Sequence, residues 1–333
     1  MKQVRIGILG AARIAPVAVI GPARAHPEVV VAAIAARDKE KAARFARRHT
    51  IPRVHASYDA LLADPEIDAI YIPLPNGLHG RWTVAALEAG KHVLCEKPFA
   101  ANAQEARTVA AMARRTGLVV MEAFHYRYHA LADRMLAIVG SGELGAIRRI
   151  EARMCIPLFW RDIRWDLDLA GGALMDAGCY AIHLVRTLAG AEPTVVSARA
   201  RLRSPEVDRL LEAELAFADG RTGSIVTSMF SRRLLSVGAR VIGSRATMQV
   251  SNPVMPQVWH RLRIDSEHGS HTEQVARRPS SYGAQLGAFA DAILRGTPFP
   301  THVDDAIANM DVIDACYTAA GLDPRRPTPI RAR

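Results

Sequence analysis

The chain has 333 residues, half of them hydrophobic, and a mean hydropathy of +0.04. This length favours two domains that each bury a core, and no apolar run approaches the roughly 18 residues that a membrane span requires. The formal net charge of +10 raises the question of nucleic acid, but the paired arginines are scattered along the chain without a basic tail or interleaved aromatic residues. The composition therefore predicts a soluble globular protein that binds neither nucleic acid nor a membrane.

The cysteines and the first residues bear on the compartment. Cys95, Cys155, Cys179 and Cys316 show neither C-x-x-C pairing nor metal-ligand spacing, so we expect reduced thiols and no metal site. The chain enters the apolar run Arg5–Leu9 almost at once, and no secretory signal is expected. These features predict a cytoplasmic protein.

Short apolar runs alternate with helix-spaced apolar residues from residue 4 to about residue 125. The predicted strands are Val4–Leu9, Val29–Ala35, Ala69–Ile72, His92–Cys95 and Leu118–Glu122. This alternation is typical of βαβ units with right-handed crossovers, and it predicts a Rossmann-type α/β domain with a parallel sheet over residues 1–125. Asp38 and Asn102 are placed to begin helices as N-caps.

From about residue 146 the apolar pattern changes to period two. The predicted strands are Ile147–Met154, Val195–Leu202, Leu211–Phe217, Thr222–Met229, Ala239–Ile242 and Leu262–Asp265. Asp219-Gly220 is a predicted hairpin turn, a helix is expected from Ala173 to Leu188, and helices are expected near 284–294 and 304–320. The pattern predicts an α+β domain with a large, mostly antiparallel open sheet over residues 126–322, followed by a poorly ordered tail over residues 323–333.

The turn after the first strand resembles a dinucleotide-binding loop. Gly10 is followed by Ala11, Ala12, Arg13 and Ile14, so one methyl group stands where G-x-G-x-x-G has its second glycine. Such a loop binds a pyrophosphate through backbone amides at a helix N-terminus, which an alanine weakens without abolishing. The alternative is a strand-to-helix turn without a ligand.

The end of the second strand bears on cofactor choice. An acid about 20 residues beyond the glycine turn would bind the ribose of NAD, whereas a guanidinium would bind the 2′-phosphate of NADP. Arg37 favours NADP, and Asp38 is better explained as a helix N-cap. NAD stays possible, with Asp38 as the ribose ligand and Arg37 as a surface charge.

Lys97 is the central candidate for chemistry. It lies in Glu96-Lys97-Pro98, directly after a predicted buried strand, and open α/β sheets bind ligands at the carboxyl ends of their strands. Pro98 fixes the backbone beside the lysine, and the bond before it is a candidate for the cis form. The alternative is a surface lysine.

The loop Leu74–His79 follows another strand at the same edge. Asn76 and His79 are expected to contact a cofactor there, although His79 could equally be a cap or a packing residue.

A predicted helix in the second domain carries an acid/base pair. Asp176, Tyr180 and His183 are spaced at i, i+4 and i+7, which predicts one helix face, and Gly171-Gly172 would allow a substrate or cofactor to approach closely. The alternative is a core tyrosine with a capping aspartate.

Two residues upstream of these glycines are candidate substrate contacts. Arg164 would bind hydroxyl groups, and Trp165 would suit the apolar face of a sugar ring or would pack at the domain boundary.

These motifs together resemble the Gfo/Idh/MocA family of nicotinamide-dependent oxidoreductases over nearly the whole chain. The blocks that carry the resemblance are Gly10–Ala15, Gly90–Pro98, Gly171–Tyr180, Gln285–Phe289 and Asp305–Tyr317. The run from Asn76 to His79 with Trp82, and Phe124-x-Tyr126-Arg127, resemble the branch with dimeric dihydrodiol dehydrogenase, NADP-linked xylose dehydrogenase and glucose-fructose oxidoreductase.

The resemblance implies that Lys97 bridges the nicotinamide ribose and the substrate, with Asp176 and Tyr180 completing the catalytic set. It adds Pro75, Glu96 and Arg127 to the cofactor-binding residues. The predicted polar helix face with Asp176 and Tyr180 makes His183 a candidate substrate contact as well. Many family members carry a histidine at the position of Tyr180 and an acid at that of His183. It also implies a homo-oligomer, a dimer or a tetramer, that pairs through the sheet.

The sequence thus predicts an NADP-preferring oxidoreductase that transfers a hydride to or from a secondary alcohol or hemiacetal carbon of a sugar, polyol or cyclic diol. The rival interpretation is a cofactor-binding sensor or regulatory protein without turnover.

Overall fold

The computed structural model describes residues 3–159 and 161–329, which form two compact units. The first unit comprises the described residues up to His125 together with Tyr282–Ile307. The second comprises Tyr126–Ser281 together with the described residues from Ala308 onward. The chain passes from the first unit to the second after His125, and residues 282–307 return to the first unit. The predicted second domain, over residues 126–322, did not separate this segment from its neighbours.

A six-stranded parallel sheet forms the core of the first unit, as the Rossmann prediction requires. Its strand order is β3-β2-β1-β4-β5-β6, and a crossover reverses the order beside β1. The strands are β1 (Val4–Leu9), β2 (Val29–Ala35), β3 (Arg53–His55), β4 (Ala69–Ile72), β5 (His92–Cys95) and β6 (Val120–Glu122). The short strand β3 was not predicted, because none of its three residues is buried and it has no apolar run.

Helices connect these strands, and polar caps fix where two of them begin. The helices are α1 (Gly21–Arg24), α2 (Lys39–His49), α3 (Tyr58–Leu62), α4 (His79–Glu88) and α5 (Ala103–Thr116). The Asp38 side chain accepts from the amide of Lys41 at 2.9 Å, and Asn102 accepts from the amide of Glu105 at 2.9 Å. Both predicted N-caps are therefore confirmed, and each satisfies an amide that the first helical turn leaves unpaired.

The second unit is built on an eight-stranded sheet in which most neighbours are antiparallel. Its order is β14-β13-β12-β11-β7-β10-β9-β8, and the β7/β10 pair alone is parallel among the described strand pairs of this sheet. The strands are β7 (Ile147–Cys155), β8 (Thr194–Ser204), β9 (Val207–Ala216), β10 (Thr222–Ser228), β11 (Ser236–Gly243), β12 (Ala246–Ser251), β13 (Arg261–Ser266) and β14 (Gly269–Glu273). The predicted turn joins β9 to β10, where Gly220 has φ +86°. Strands β12 and β14 were not predicted.

Four further helices follow or interrupt the strands, namely α6 (Ala130–Gly140), α7 (Cys179–Ala189), α8 (Ser281–Arg295) and α9 (Val303–Ala319). The loop between α8 and α9 explains the discontinuous first unit. Thr301 hydrogen-bonds Glu122 of the edge strand β6 twice, through its carbonyl at 3.0 Å and its hydroxyl at 2.8 Å. Arg295 pairs with Glu28 at 2.5 Å. These contacts join positions far apart in the sequence, so local patterns do not reveal them.

The prediction of a poorly ordered tail was wrong for the residues around Arg325. This side chain is 1% exposed and lies 2.9 Å from the carboxylate of Asp208, which is itself fully buried. Thr328 donates a hydrogen bond to the carbonyl of Asp168 at 2.7 Å. The predicted tail also includes residues 330–333, which lie outside the described residues.

Candidate active site

The glycine turn after β1 has the backbone that a phosphate-binding loop needs. Gly10 has φ +97°, its amide donates to the carbonyl of Ala35 at 2.7 Å, and a Cβ there would lie 3.0 Å from Leu74. Among the described residues, no main-chain carbonyl accepts from the amides of Ala11, Ala12, Arg13 and Ile14. A helical segment follows directly, as a π turn over Pro16–Ile20 that leads into α1. Free amides at a helix N-terminus fit a pyrophosphate.

Arg37 and Asp38 at the end of β2 have different structural roles. The Asp38 carboxylate caps α2, whereas Arg37 is exposed. The hydroxyl of Tyr58 approaches the backbone of Arg37 and would lie 3.7 Å from a Cβ on Gly10. Tyr58 therefore lies beside both the glycine turn and Arg37. It was not predicted as a site residue, because it lies in a short helix and belongs to no sequence motif.

The loop after β4 uses His79 as an internal support. The side chain is 1% exposed, with Nδ1 2.7 Å from the carbonyl oxygen of Pro98 and Nε2 2.7 Å from that of Leu74. Burial lowers the pKa of His79 to about 4. A neutral imidazole has one N–H, so His79 donates to one of these two carbonyls at a time. The ring lies between the two loops, and its contact with a cofactor stays a prediction. Pro75 and Asn76 in the same loop are half-buried.

Lys97 follows β5 at the carboxyl edge of the sheet and is half-buried. The Lys97–Pro98 bond is cis. Beside it, Glu96 accepts a hydrogen bond from the hydroxyl of Tyr71 at 2.7 Å, and Tyr71 is fully buried in β4. The neighbouring strand thus anchors the carboxylate next to the lysine.

An aromatic pair in the first unit was missed by the sequence analysis. The rings of His125 and Tyr282 are stacked with centroids 3.9 Å apart. Burial, and then the charge of Glu96, raise the pKa of the Tyr282 hydroxyl well above its usual range, which places this pair near Glu96. Its two members are 157 positions apart in the sequence (282 − 125), so no local signal joins them.

The helix predicted from Ala173 to Leu188 is not uniform. A π turn spans Leu174–Gly178 and contains Asp176, whereas Tyr180 and His183 lie in α7. A π turn takes more residues than an α turn, so the predicted regular spacing of Asp176, Tyr180 and His183 does not hold across it.

Asp176 is oriented by an arginine that the sequence assigned to the substrate. Arg164 donates from Nε to Asp176 at 2.9 Å and from Nη1 to Asp162 at 3.1 Å. The charge of Asp176 raises the pKa of Arg164, burial lowers it by a smaller amount, and the charge of Asp162 also raises it. The guanidinium is shared between two carboxylates, so its first role is to position Asp176.

Tyr180 and His183 lie in a buried aromatic group with Tyr126. The Tyr126 hydroxyl is 2.5 Å from Nδ1 of His183, and the rings of Tyr126 and Tyr180 are 6.2 Å apart. His183 is 1% exposed, and its role as a substrate contact stays a prediction. Tyr180 is 6% exposed and is the more accessible of the two.

Trp165 and Arg127 have structural partners within the second unit. Trp165 is buried, its Nε1 donates to the carbonyl of Phe159 at 2.9 Å, and the Arg203 guanidinium lies 4.9 Å from its ring centroid. This environment supports the packing alternative over sugar stacking. Arg127 lies 3.9 Å from the carboxylate of Asp133.

Packing within the second unit requires glycine at positions 171 and 172. A Cβ on Gly171 would lie 2.4 Å from the carbonyl oxygen of Arg164. Gly172 has φ +139°, and a Cβ there would lie 2.1 Å from the carboxylate of Asp208. Packing alone therefore explains both glycines, and the close approach of a ligand stays a prediction.

Metal-ligand clusters and membrane-spanning helices are both absent from the described residues. No group of three or more histidine, cysteine, aspartate or glutamate residues in ranges 3–159 and 161–329 could hold a metal ion. No helix in those ranges is both long and apolar enough to cross a membrane.

Comparisons with known proteins agree with this geometry. Residues 4–124 match the oxidoreductase family with an NAD-binding Rossmann fold, and residues 133–249 match the Gfo/Idh/MocA C-terminal domain. A D-xylose 1-dehydrogenase (NADP⁺) from Haloferax volcanii is 36% identical, over 94% of this chain and 96% of its own.

Two sugar-nucleotide reductases are also similar. A dTDP-3,4-didehydro-2,6-dideoxy-α-D-glucose 3-reductase from Saccharopolyspora spinosa is 40% identical over 96% of both chains. The crystal structure of a 3-ketoreductase from Actinomadura kijaniata, in complex with NADP and TDP-benzene, superposes with a TM-score of 0.88 at 29% identity, over 96% of this chain and 98% of that one. The chain therefore belongs to the Gfo/Idh/MocA family of oxidoreductases.

Proposed function

We propose that this oxidoreductase prefers NADP and acts on a secondary alcohol, hemiacetal or corresponding carbonyl carbon of a sugar, polyol or cyclic diol. One observation carries the proposal. The Gly10 turn, Arg37 and Lys97 follow β1, β2 and β5, so all three lie at the carboxyl edge of one parallel sheet. The named NADP dependence of the xylose dehydrogenase and the NADP complex of the ketoreductase support the cofactor assignment.

The residues of the first unit fit this cofactor. The amides from Ala11 to Ile14 would bind its pyrophosphate, and the exposed Arg37 would bind the 2′-phosphate through its guanidinium fork. With Asp38 capping α2, the chain offers no separate acid for an unphosphorylated ribose at this position. Glu96, Pro75 and Asn76 remain candidate cofactor contacts.

The chemistry divides between the cofactor and the side chains. Hydride transfer is the chemistry that a bound nicotinamide would supply. During oxidation, Tyr180 takes the proton from the substrate hydroxyl, and the Lys97 ammonium stabilises the negative charge on that oxygen. Asp176, held by Arg164, hydrogen-bonds a substrate hydroxyl and orients the carbon. The family resemblance assigns these residues of the two units to the same reaction.

A 340 nm assay tests the proposal. Purified protein is incubated with NADP⁺ or NAD⁺ and a panel of aldoses, polyols and cyclic diols, with a linear secondary alcohol of similar size as the comparison. We expect turnover with NADP⁺ and a higher kcat/KM for the polyhydroxylated compounds, because unpaired polar groups cost about 1 to 3 kcal/mol each when an apolar analogue binds. Equal activity on the linear alcohol contradicts the substrate class. Tight NADP binding without any turnover supports the sensor interpretation instead.

Two further properties belong to the proposal. We expect a homo-oligomer that pairs through the eight-stranded sheet, which light scattering after size exclusion would measure. Cytoplasmic location stays a prediction from the cysteine pattern, and the four cysteines are buried and form no disulfide bond.

A further inference from the structure

A buried group of three side chains is hydrogen-bonded to the π turn that contains Asp176. Asp208 of β9 is fully buried, and one of its oxygens accepts from both Nη2 of Arg325 and the hydroxyl of Tyr317, each at 2.9 Å. The Arg325 guanidinium lies 4.0 Å from the Tyr317 ring centroid. We name Asp208, Tyr317 and Arg325 the rear triad.

The second oxygen of Asp208 connects the rear triad to the helix. It accepts from the amide of Leu174 at 2.7 Å, and Leu174 is the first residue of the π turn. A carboxylate on an amide at the start of a helical segment acts as a cap and fixes where that segment begins. Asp176 is two residues further on, so the position of its backbone depends on this bond.

Arg325 also fixes the chain before the turn. Its Nε donates to the carbonyl of Gly171 at 2.9 Å, and its Nη2 donates to the carbonyl of Glu206 at 2.6 Å. The carbonyl of Gly172 in turn accepts from the amide of Asp176 at 3.0 Å. One guanidinium therefore holds the carbonyl of Gly171 and, through Asp208, the amide of Leu174, and only Gly fits between them at position 172.

The buried ion pair between Asp208 and Arg325 constrains the geometry of the rear triad. Burial raises the pKa of Asp208, and the charge of Arg325 opposes that rise. A buried carboxylate that loses its charge partner is strongly destabilised, so Asp208 relies on Arg325 to keep its charge and its geometry. Among the described residues, no other arginine or lysine forms an ion pair with Asp208.

We propose that Arg325, in the segment after the last helix, is a positioning residue that acts through Asp208 and Gly171 to set Asp176 and Tyr180 in place for the reaction. This inference rests on the proposed function for its catalytic part, whereas its geometric part concerns the turn alone. A displacement of a reacting group by about 1 Å can cost about 10²-fold in rate.

The test compares Arg325→Met with Arg326→Met. Arg326 is the neighbouring residue, its side chain is 85% exposed, and its removal changes the net charge equally. Tyr317→Phe is the milder second variant, because it deletes one hydrogen bond to Asp208 and keeps the ion pair. Arg325→Lys keeps the positive charge but loses the planar guanidinium that donates to Gly171, Glu206 and Asp208 together.

Two measurements are made on folded protein. Hydrogen exchange, read by mass spectrometry on peptides covering residues 171–180, reports the geometry without any need for turnover. Steady-state kinetics then separate kcat from the KM values of sugar and NADP⁺. We expect Arg325→Met to speed exchange in 171–180 and to lower kcat by about 10- to 100-fold, with KM for NADP⁺ within about twofold. Tyr317→Phe should show smaller changes in the same direction, Arg325→Lys should fall between Arg325→Met and the wild type, and Arg326→Met should show none.

The outcomes are separable. Unchanged exchange in 171–180 for both Arg325→Lys and Tyr317→Phe overturns the inference, and so does wild-type kcat in variants whose exchange has risen. If Arg325→Met does not fold, these two variants decide the question. A wild type that turns over no substrate contradicts the proposed function, and the exchange result still decides the geometric part.

Discussion

Replacing Arg37 with alanine isolates the group that we hold responsible for choosing NADP over NAD. Arg37 is exposed at the end of β2, and its neighbour Asp38 is used as the cap of α2. A hydrogen bond to a charged group contributes about 1.5 to 3 kcal/mol, and solvent exposure places Arg37 near or below the lower end of that range. We take about 1 to 2 kcal/mol, which corresponds to a rise of about 5- to 30-fold in the Kd for NADPH.

The assay is a fluorescence titration of the variant with NADPH and with NADH at one fixed salt concentration. The Kd for NADH should change less than about twofold, because NADH lacks the 2′-phosphate that Arg37 binds. Arg47→Ala is the matched control, since Arg47 is an exposed arginine of α2 and its loss removes the same charge. Equal losses of NADPH and NADH affinity, or a wild type that prefers NADH, would refute the assignment of Arg37.

Four further substitutions test other parts of the molecule. Lys97→Ala should lower kcat by at least about 10²-fold without unfolding the protein. Lys91→Ala should instead lower the free energy of unfolding by about 1 to 3 kcal/mol and leave kcat unchanged, because the Lys91 ammonium donates to the carbonyls of Asp64 and Ile67. Steady-state kinetics and denaturant titrations of both lysine variants test these two expectations. Tyr180→Phe should lower kcat and abolish the rise of the oxidation rate with pH, and an unchanged pH profile would exclude Tyr180 as the proton carrier. The hydrogen bond from Arg134 lowers the pKa of Glu273 below its ordinary value near 4.5, so the pair stabilises the folded state above that pH and the benefit is lost as the pH falls through the lowered pKa. Glu273→Gln should therefore cost about 1 kcal/mol at pH 7 and progressively less below pH 4.5 in urea titrations, and a cost independent of pH would contradict this.

Local chemistry explains which parts of the fold the sequence could predict. Strands β1 and β2 are largely buried apolar runs, and the caps at Asp38 and Asn102 depend on neighbours three residues away, so both leave a short-range signal. Strand β14 is an edge strand of mostly exposed polar residues, and it leaves none. Arg325 was predicted to lie in a poorly ordered tail, because its partner Asp208 is 117 positions away in the sequence.

The candidate site shows the same division. The residue types at Gly10, Arg37 and Lys97 follow predicted strands, and parallel topology brings strand ends to one edge. The burial of His79 and His183 was not predicted, because the sequence signal of a histidine is the same whether its ring faces a ligand, a main-chain carbonyl or a tyrosine hydroxyl. The π turn at Asp176 depends on contacts with β9 and the segment after α9, which periodicity does not report.

During synthesis of the chain, the edge strand β6 is made long before Thr301, the residue with which it pairs. Glu122 of β6 and Thr301 are 179 residues apart, and ribosomes add about 5 to 20 residues each second. Thr301 is therefore synthesised roughly 10 to 35 s after Glu122. Throughout that interval the edge of the first sheet offers open main-chain groups to any other extended strand. The whole of the eight-stranded sheet is synthesised before the first unit receives its last piece.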